Sequence, residues 1–259
     1  MIATVLSYVT LLGLMFLFQR KLQYLPNGHI TKISDYSLEG FEEKTLTTSD
    51  NQKILSWYKA ALPEEKLIVY FHGNAGNMAD RSYKFDDFAA NGFGVLAISY
   101  RGYSGSEGKP TEKNLIADSE AALNFLLDNN YTLQDLIFYG ESLGSSVAVQ
   151  LAARFDPYAL ILESPFSSAA DIGQKPYWFM PVKLMMHDKF ESIKFTSKIS
   201  AKTLIFHGTA DEVVPYSQGQ ELFNSFESKK KFITLQEAGH LDFSSDFLIN
   251  EMNIFLKDK

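Results

Sequence analysis

A serine between two glycines, at the junction of a strand and a helix, constrains this chain more than any other feature. Gly140-Glu141-Ser142-Leu143-Gly144 follows an apolar run typical of a buried strand, Leu136–Tyr139, and precedes a helix-forming run, Ser145–Arg154. In such a turn the serine takes a strained backbone conformation, and the glycines avoid Cβ clashes with neighbouring turns. The pattern is typical of a nucleophile elbow, which lifts the serine hydroxyl above the sheet. The alternative is an ordinary tight turn that happens to contain a serine. Features elsewhere in the chain must distinguish these two interpretations.

Short apolar runs alternate with helical segments on both sides of this turn. Runs without polar alternation are typical of strands buried on both faces, as in a parallel sheet covered by helices. Two alternating runs around Ser49-Asp50-Asn51-Gln52 predict a β-hairpin ahead of that sheet. The predicted fold class is therefore α/β, with a mostly parallel central sheet, an N-terminal β-hairpin and helices on both faces, over residues 41–259. The predicted parallel strands are Leu67–Phe71, Val95–Ile98, Leu136–Tyr139, Ala159–Leu162, Thr203–Phe206 and Phe232–Leu235.

The segment 167–201 interrupts the alternation of strands and helices. It lies between two predicted strands, at the carboxyl edge where open α/β sheets bind ligands. We interpret it as a short lid, and a surface excursion with its own small core is the alternative. Its methionines are consistent with both interpretations, since methionine fills gaps in apolar cores and also lines adaptable apolar sites. The residues behind this interpretation are Pro176, Trp178, Met180, Pro181, Met185 and Met186.

The composition excludes several classes of function. The chain has 259 residues, of which 46% are hydrophobic and 21% charged, as in a globular protein with a sizeable core. A net charge of −7 argues against nucleic-acid binding. The chain contains no cysteine, which excludes disulfides, thiolate catalysis and cysteine-ligated zinc. We expect no cofactor and no metal.

The N-terminal residues 1–19 predict a single membrane anchor. Residues 1–18 carry no charged side chain and are mostly apolar, close to the minimum length of about 17–25 residues for a membrane-spanning helix. A cleaved signal peptide lacks support, because there is no basic region before the apolar run and no A-x-A-like site. A buried helix is also disfavoured, because the segment is apolar on all sides.

Residues 20–40 are predicted to be a linker between this anchor and the α/β domain. Arg20, Lys21 and Lys32 all follow the apolar segment. The positive-inside rule then predicts that the domain lies in the cytoplasm.

Three residues in the order expected for an elbow-based hydrolase follow predicted strands. A serine is a weak nucleophile, and it needs a base within hydrogen-bonding distance that is oriented by an acid. Asp211 follows one strand and His240 follows the last one, both at the carboxyl edge that carries Ser142. We therefore predict Ser142, Asp211 and His240 as the catalytic residues. The alternatives are that Asp211 only shapes a turn and that His240 only begins a helix. Both residues would then occupy the positions expected for catalytic residues by coincidence.

Other candidate acids and bases are weaker. His72 and His207 each precede a glycine at a strand end, which suits a role in bracing loops. Asp242 is too close in sequence to His240 to orient the same ring. Glu212 is the most credible substitute for Asp211.

Two backbone N–H groups are predicted to form an oxyanion hole, at Asn74 and Leu143. Leu143 directly follows the nucleophile, and Asn74 lies in the glycine-containing loop 72–77 after the first core strand. Glycines in that loop let the backbone approach a substrate. A phosphate-binding loop is disfavoured, because neither G-x-x-x-x-G-K-[ST] nor G-x-G-x-x-G occurs there.

Several motifs together make the chain resemble an α/β-hydrolase, and more narrowly the membrane-anchored, short-lid serine hydrolases related to serine aminopeptidases. This family usually has an aspartate where Ser99 stands, at a position that borders the site without being catalytic. The matching motifs cover nearly the whole chain in order: Phe18-Gln19-Arg20-Lys21-Leu22-Gln23-Tyr24 with Pro26, His72-Gly73-Asn74-Ala75-Gly76-Asn77, Ser99-Tyr100-Arg101-Gly102-Tyr103-Ser104-Gly105, Gly140-Glu141-Ser142-Leu143-Gly144, and His207-Gly208-Thr209-Ala210-Asp211-Glu212-Val213-Val214-Pro215 with Gly239-His240.

The resemblance implies a Ser-His-Asp hydrolase of esters, thioesters or sometimes amides. Relatives act on acyl chains, including those of lipids and lipid-modified proteins. The expected partners are therefore an acyl ester or thioester, a lipid or an acylated protein, together with the membrane and without nucleic acid. A serine aminopeptidase-like peptidase and a non-catalytic binding protein remain the alternatives. The fold does not select the substrate.

Overall fold

The computed structural model describes residues Met1–Asp258, and the strands follow the apolar runs of the sequence. Between these residues the chain forms strands β1 (Leu25–Pro26), β2 (Glu42–Thr47), β3 (Lys53–Lys59), β4 (Leu67–Phe71), β5 (Ala75–Gly76), β6 (Gly94–Ile98), β7 (Leu136–Glu141), β8 (Ala159–Glu163), β9 (Lys202–Gly208) and β10 (Lys230–Leu235).

Helices occupy most of the connections between these strands. They are α1 (Ile2–Gln23), α2 (Ser82–Ala90), α3 (Glu112–Asp128), α4 (Leu143–Phe155), α5 (Ala169–Gln174), α6 (Val182–Met185), α7 (Tyr216–Ser225) and α8 (Ser245–Lys257). Short 3-10 turns occur at Ile33–Asp35, Met78–Arg81, Leu133–Asp135, Ser192–Lys194 and Thr196–Lys198.

Eight of the strands form one twisted sheet in the order β10-β9-β8-β7-β4-β6-β3-β2. All neighbours from β10 to β6 are parallel, whereas β3 pairs antiparallel with both β6 and β2. The predicted mostly parallel sheet with an N-terminal hairpin is therefore confirmed. Strand β7 lies inside the sheet between β4 and β8, so the turn that follows it opens at the carboxyl edge next to two other strand ends.

Helices cover both faces of this sheet and bury two apolar clusters. One cluster joins the sheet to α3, α4 and α7, and the other joins it to α2 and α8. Every residue of β4, β6, β7 and β8 is buried. Burial on both faces explains why these strands lack alternation in the sequence.

The N-terminal helix continues beyond the predicted anchor of residues 1–19. α1 runs from Ile2 to Gln23, is long and apolar enough to cross a membrane, and keeps its side chains exposed or half-exposed in the described part of the chain. The segment 20–40, predicted as a linker, holds the end of α1, β1 and a 3-10 turn. Within it Tyr24, Thr31 and Leu38 are buried. This segment packs on the domain because β1 pairs in parallel with β5 and because its apolar side chains join the core.

Candidate active site

Ser142 lies at a sharp turn between β7 and α4. Its backbone has φ 49° and ψ −114°, a conformation that side-chain-bearing residues seldom adopt, and its N–H donates to the Glu163 carbonyl at 2.9 Å. The flanking glycines are required by space. A Cβ on Gly140 would lie 2.5 Å from the Gly144 carbonyl oxygen, and one on Gly144 would lie 2.0 Å from the Phe71 carbonyl oxygen. The elbow therefore forms only with glycine on both sides of the serine.

Gly144→Ala should lower the free energy of unfolding by about 3 kcal/mol or more, because the new methyl meets backbone atoms that cannot rotate away. Chemical denaturation followed by circular dichroism in mild detergent measures this change. Gly173→Ala on α5 is the control, since its Cβ would meet only a side-chain carbon of Val182 at 3.4 Å. Equal stability of the two variants would contradict the steric role of Gly144.

The structure brings Ser142, His240 and Asp211 into one hydrogen-bonded chain. His240 Nε2 lies 3.1 Å from Ser142 Oγ, and His240 Nδ1 lies 2.7 Å from Asp211 Oδ2. Because a carboxylate only accepts hydrogen bonds, Nδ1 is the protonated nitrogen, and Nε2 is left free to accept the serine proton. Three loops, after β7, β9 and β10, supply these side chains from one edge of the sheet.

Asp211 is buried and held by several donors. The backbone N–H groups of Val213 and Val214 donate to its Oδ1 at 2.9 and 2.8 Å, while the side chains of His207 and His240 approach Oδ2. Burial alone would raise the pKa of Asp211, but these hydrogen bonds outweigh it and hold the pKa well below its usual value. The carboxylate is thus ionised and fixed when it faces the imidazole.

The rival acids lie elsewhere. Glu212 is exposed to solvent, and the ring of His240 is hydrogen-bonded to Asp211 and Ser142 instead. Asp242 accepts a hydrogen bond from the Gly239 N–H at 2.9 Å, which shapes the loop that carries His240. His207 donates through Nε2 to the Val214 carbonyl at 2.9 Å and so braces the Asp211 loop.

The two predicted oxyanion donors border the same cavity as Ser142. Leu143 is the first residue of α4, where backbone N–H groups have no partner within the helix. The loop that carries Asn74 is fixed by two neighbours. The Tyr103 hydroxyl donates to the Asn74 carbonyl at 2.9 Å, and His72 Nδ1 donates to the Gly73 carbonyl at 2.7 Å.

A cavity of about 340 Å³ opens beside the serine, within the size range of small-molecule sites. Its walls are mostly apolar, and they combine the nucleophile region, segment 167–201 and helix α1. Residues of segment 167–201 therefore border the cavity, and its interpretation as a lid stays a prediction. The lining residues are Met15, Phe16, Gln19, Leu22, Gln23, Asn74, Ser142, Leu143, Phe166, Ala169, Ile172, Gly173, Tyr177, Met180, Val182, Met185, Met186, Val213 and Val214.

A buried cluster of charges lies directly beneath the elbow, and the sequence analysis did not identify it. Glu141 accepts hydrogen bonds from Arg81 Nη2 at 2.6 Å and from the Tyr70 hydroxyl at 2.5 Å. Lys84 Nζ lies 3.3 Å from Glu141 and 2.7 Å from Glu163. Two carboxylates and two cations thus neutralise one another in the core. Burial alone would raise the pKa of Glu141, but the neighbouring cations hold it below its usual value.

Arg81 connects this cluster to the loop of the oxyanion hole. Its Nη1 donates to the carbonyls of Ala75 at 3.1 Å and Asn77 at 3.3 Å, while its other nitrogens bind Glu141. One guanidinium therefore fixes the residue before the nucleophile relative to the loop that carries Asn74. Glu141 directly before the elbow serine was the one local sequence signal, and it does not identify Arg81 and Lys84, which lie about sixty residues earlier around the start of α2, as its partners.

Lys84→Met should lower the free energy of unfolding at pH 7 by about 3–5 kcal/mol, because it leaves Glu141 and Glu163 buried without their shared cation. Urea unfolding monitored by circular dichroism checks this value. The loss should shrink in acid, where the carboxylates that lack Lys84 in the variant become protonated. Lys113→Met removes an exposed lysine of α3 and should change stability by less than about 0.5 kcal/mol. Similar losses in both variants would contradict the role of the cluster.

Sheet order, elbow and the convergence of three loops define an α/β-hydrolase fold. Residues 63–193 match the family described as serine aminopeptidase, S33. An uncharacterized protein of Mycobacterium tuberculosis is 30% identical over 227 residues, covering 86% of this chain and 81% of that protein. The human alpha/beta hydrolase domain-containing protein 17B is 33% identical over 227 residues, covering 83% of this chain and 76% of that protein. The chain belongs to the serine aminopeptidase S33 family of the α/β-hydrolase superfamily.

Solved structures agree with this fold. An esterase of Pyrococcus furiosus superposes with a TM-score of 0.73 at 20% identity, covering 91% of this chain and 97% of that one. An acetyl xylan esterase of Paenibacillus sp. R4 superposes with a TM-score of 0.69 at 20% identity, covering 91% of this chain and 89% of that one. At this identity the likeness concerns the fold.

Proposed function

We propose that the protein is a serine hydrolase that cleaves an acyl ester or thioester through an acyl-enzyme intermediate. The observation that carries the proposal is the position of His240, which contacts Ser142 through one ring nitrogen and Asp211 through the other. That arrangement gives a serine a base and gives the base an orienting acid. The resemblance to esterases supports the same class of reaction.

The proposed mechanism follows from these contacts. His240 Nε2 accepts the Ser142 proton while Oγ bonds to the acyl carbonyl carbon, and Asp211 stabilises the resulting imidazolium. The N–H groups of Asn74 and Leu143 bind the oxyanion. The imidazolium then protonates the leaving alkoxide or thiolate as its bond to the carbonyl carbon breaks. Water, deprotonated by His240, attacks the acyl-enzyme and releases the carboxylic acid.

The cavity supports an apolar acyl substrate. Methionine, leucine, isoleucine and phenylalanine side chains dominate its walls, and none of the lining residues that the structure describes is acidic. A carboxylate is the group that pairs best with a substrate amine, and the described lining offers only the amides of Gln19, Gln23 and Asn74, so it favours esters or thioesters over peptides. Kinetics on a matched panel of acyl esters and aminoacyl amides separate the two, and faster cleavage of the amides would contradict an esterase.

Helix α1 supports attachment to a membrane by a single N-terminal helix. We place the domain on the cytoplasmic side, because Arg20 and Lys21 follow the apolar segment. A lipid or an acylated protein would then be the natural source of the acyl group. Protease accessibility in intact and permeabilised cells tests this orientation, and cleavage of the domain in intact cells would contradict it.

Labelling with a fluorophosphonate probe tests the proposed nucleophile without a choice of substrate. The probe should label the wild-type protein, and mass spectrometry of the digested protein should place the adduct on Ser142. Ser142→Ala should remain folded and unlabelled. An adduct on another residue, or labelling that persists in the variant, would exclude Ser142 as the nucleophile.

Hydrolysis should become slower as the pH decreases from 8 to 5, because the reaction needs a base that is free to accept the Ser142 proton, and imidazole side chains in general gain a proton in this range. Asp211 stays ionised over this range, since its pKa lies well below the usual value. Burial and the charge of Arg81 lower the pKa of His72 to about 4, so His72 stays neutral. Loss of one proton from the catalytic base predicts that log(kcat/KM) rises with pH at a slope of about one. A slope of two would mean that a second group titrates with the imidazole.

A further inference from the structure

Helix α1 forms one wall of the cavity beside Ser142. Met15, Phe16 and Leu22 contribute apolar side chains to this wall, opposite the lid. Met15 and Leu22 are seven residues apart, which corresponds to about 10 Å along the helix axis. The candidate membrane helix is therefore also part of the substrate cavity.

The two ends of this wall lie at different distances from the nucleophile. Leu25, just after α1, pairs with Ala75, the residue that follows Asn74 in the oxyanion loop. The carboxyl end of α1 is thus fixed beside the reacting atoms. Met15 and Phe16 lie about two turns further back and form the distal part of the wall.

The lid is hydrogen-bonded to α1 at two heights. Near the domain, Arg20 Nε donates to Asp188 Oδ2 at 2.8 Å. Twelve residues earlier the Tyr8 hydroxyl donates to the Phe179 carbonyl at 2.6 Å. Since twelve helical residues span about 18 Å, the lid follows the apolar part of α1 over much of a leaflet's depth. If α1 enters a membrane, this part of the lid enters with it.

The part of the lid beside Tyr8, residues 177–184 (the lid tip), is suited to lipid. Trp178 is 79% exposed and Leu184 is 84% exposed, and Tyr177 and Phe179 are exposed beside them. A cluster of exposed apolar side chains marks an interaction surface, and Lys183, the one charged residue of the lid tip, is paired with Asp171. Because the lid tip is continuous with α1, the same bilayer is the partner that fits both.

We propose that α1 and the lid tip enter the same leaflet, and that the cavity between them is an acyl-chain site open to the bilayer. The acyl chain of a membrane-resident ester or thioester passes along α1 into the cavity. Its carbonyl group reaches Ser142, and its distal methylenes contact Met15 and Phe16. This inference rests on the proposed function, because it describes how the same serine receives its substrate.

Fluorescence quenching tests the position of the lid tip. The chain has two tryptophans, of which Trp57 is buried in the core and Trp178 is in the lid tip. The full-length protein is reconstituted into phosphatidylcholine vesicles with or without brominated acyl chains. Wild-type fluorescence should fall clearly in brominated vesicles, whereas Trp178→Phe, which keeps only the core tryptophan, should be quenched little. Equal quenching of the two proteins would overturn the proposal.

Chain-length selectivity tests the role of α1 as a wall. Met15→Trp should reduce the ratio of kcat/KM for p-nitrophenyl dodecanoate to kcat/KM for p-nitrophenyl acetate by about tenfold or more. Excluding each methylene from an apolar site costs about fourfold, so the loss of two methylenes suffices. Leu17→Trp is the matched control, because Leu17 is 73% exposed and lies outside the wall. An unchanged ratio in Met15→Trp, or an equal loss in Leu17→Trp, would overturn the proposal.

Fluorophosphonate labelling separates this proposal from the function on which it rests. Failure to label folded wild-type protein would refute the serine hydrolase, and quenching of Trp178 would still report the position of the lid tip. Labelling of Ser142 together with an unchanged chain-length ratio would keep the hydrolase and refute the acyl site on α1. Labelling of Met15→Trp also shows that this variant has folded.

Discussion

Ser142→Ala should lower kcat for a p-nitrophenyl acyl ester by about 10⁶-fold, because no other group can form the acyl-enzyme. His240 and Asp211 would remain hydrogen-bonded. A positioned base without a nucleophile, however, hydrolyses the ester little faster than the uncatalysed reaction. The fold should survive, since the change removes one hydroxyl at the mouth of the cavity and leaves both glycines of the elbow in place. Stopped assays over hours, with circular dichroism of the same sample, measure the loss.

Ser164→Ala is the matched control for this variant. Ser164 follows the neighbouring strand β8, also has a positive φ of 48°, and is also buried. Its hydroxyl has no hydrogen-bond partner among residues Met1–Asp258. The control should therefore retain nearly full kcat. Comparable activity in a folded Ser142→Ala protein would refute the assignment of the nucleophile.

Asp211→Asn should lower kcat by about 10⁴-fold while leaving KM nearly unchanged. An amide at this position donates as well as accepts, so it favours the His240 tautomer in which Nε2 carries the proton. That nitrogen can then no longer accept the Ser142 proton. The variant also loses the negative charge that stabilises the imidazolium. Steady-state kinetics of both proteins at the pH of maximal wild-type activity measure this effect.

Glu212→Gln provides the comparison for Asp211→Asn. It removes the same charge one residue away, from a side chain that is exposed, whereas His240 Nδ1 is hydrogen-bonded to Asp211. We expect a change in kcat of less than about twofold, since surface substitutions away from a site have small effects. A large loss of kcat in Glu212→Gln, together with a small one in Asp211→Asn, would show that Glu212 and not Asp211 is the catalytic acid.

The sheet and the catalytic candidates could be predicted because local rules decide them. Strands of a parallel sheet that is covered on both faces are mostly apolar, so β4 and β7 can be recognised in the sequence as continuous apolar runs. The elbow requires glycine on both sides of Ser142, and the loops after β9 and β10 place Asp211 and His240 at the same edge. In each case a short segment of sequence determines the local structure. The parallel direction of the strands then places these segments at the same edge of the sheet.

Features that depend on partners distant in sequence could not be predicted. Arg81 and Lys84 look like ordinary surface residues of a polar helix, and only the folded chain places them against Glu141 and Glu163 in the core. Helix α7 (Tyr216–Ser225) also depends on a partner that is distant from part of it in sequence. It contains Gly219, where a Cβ would lie 2.1 Å from His207 Nδ1, so a residue that usually weakens helices is needed for close packing.

The segment after α1 was predicted as a linker because it is short, polar in part and contains Pro26-Asn27-Gly28. The structure differs because β1 finds its partner in β5, about fifty residues later, and a two-residue ladder has no sequence signature. Tyr24 and Leu38 look like isolated apolar residues, and their burial depends on the same distant contact.

The pairing of Leu25–Pro26 with Ala75–Gly76 affects how this enzyme can be prepared. Deleting an N-terminal apolar helix is the usual route to a soluble enzyme. This assumes that the structure and activity of the remaining domain do not change when the helix is removed. Here a cut at residue 30 would remove a strand from the loop that holds Asn74 as well as one side of the cavity. Substrate preferences measured on such a shortened protein would describe a different active site from the one in the intact chain.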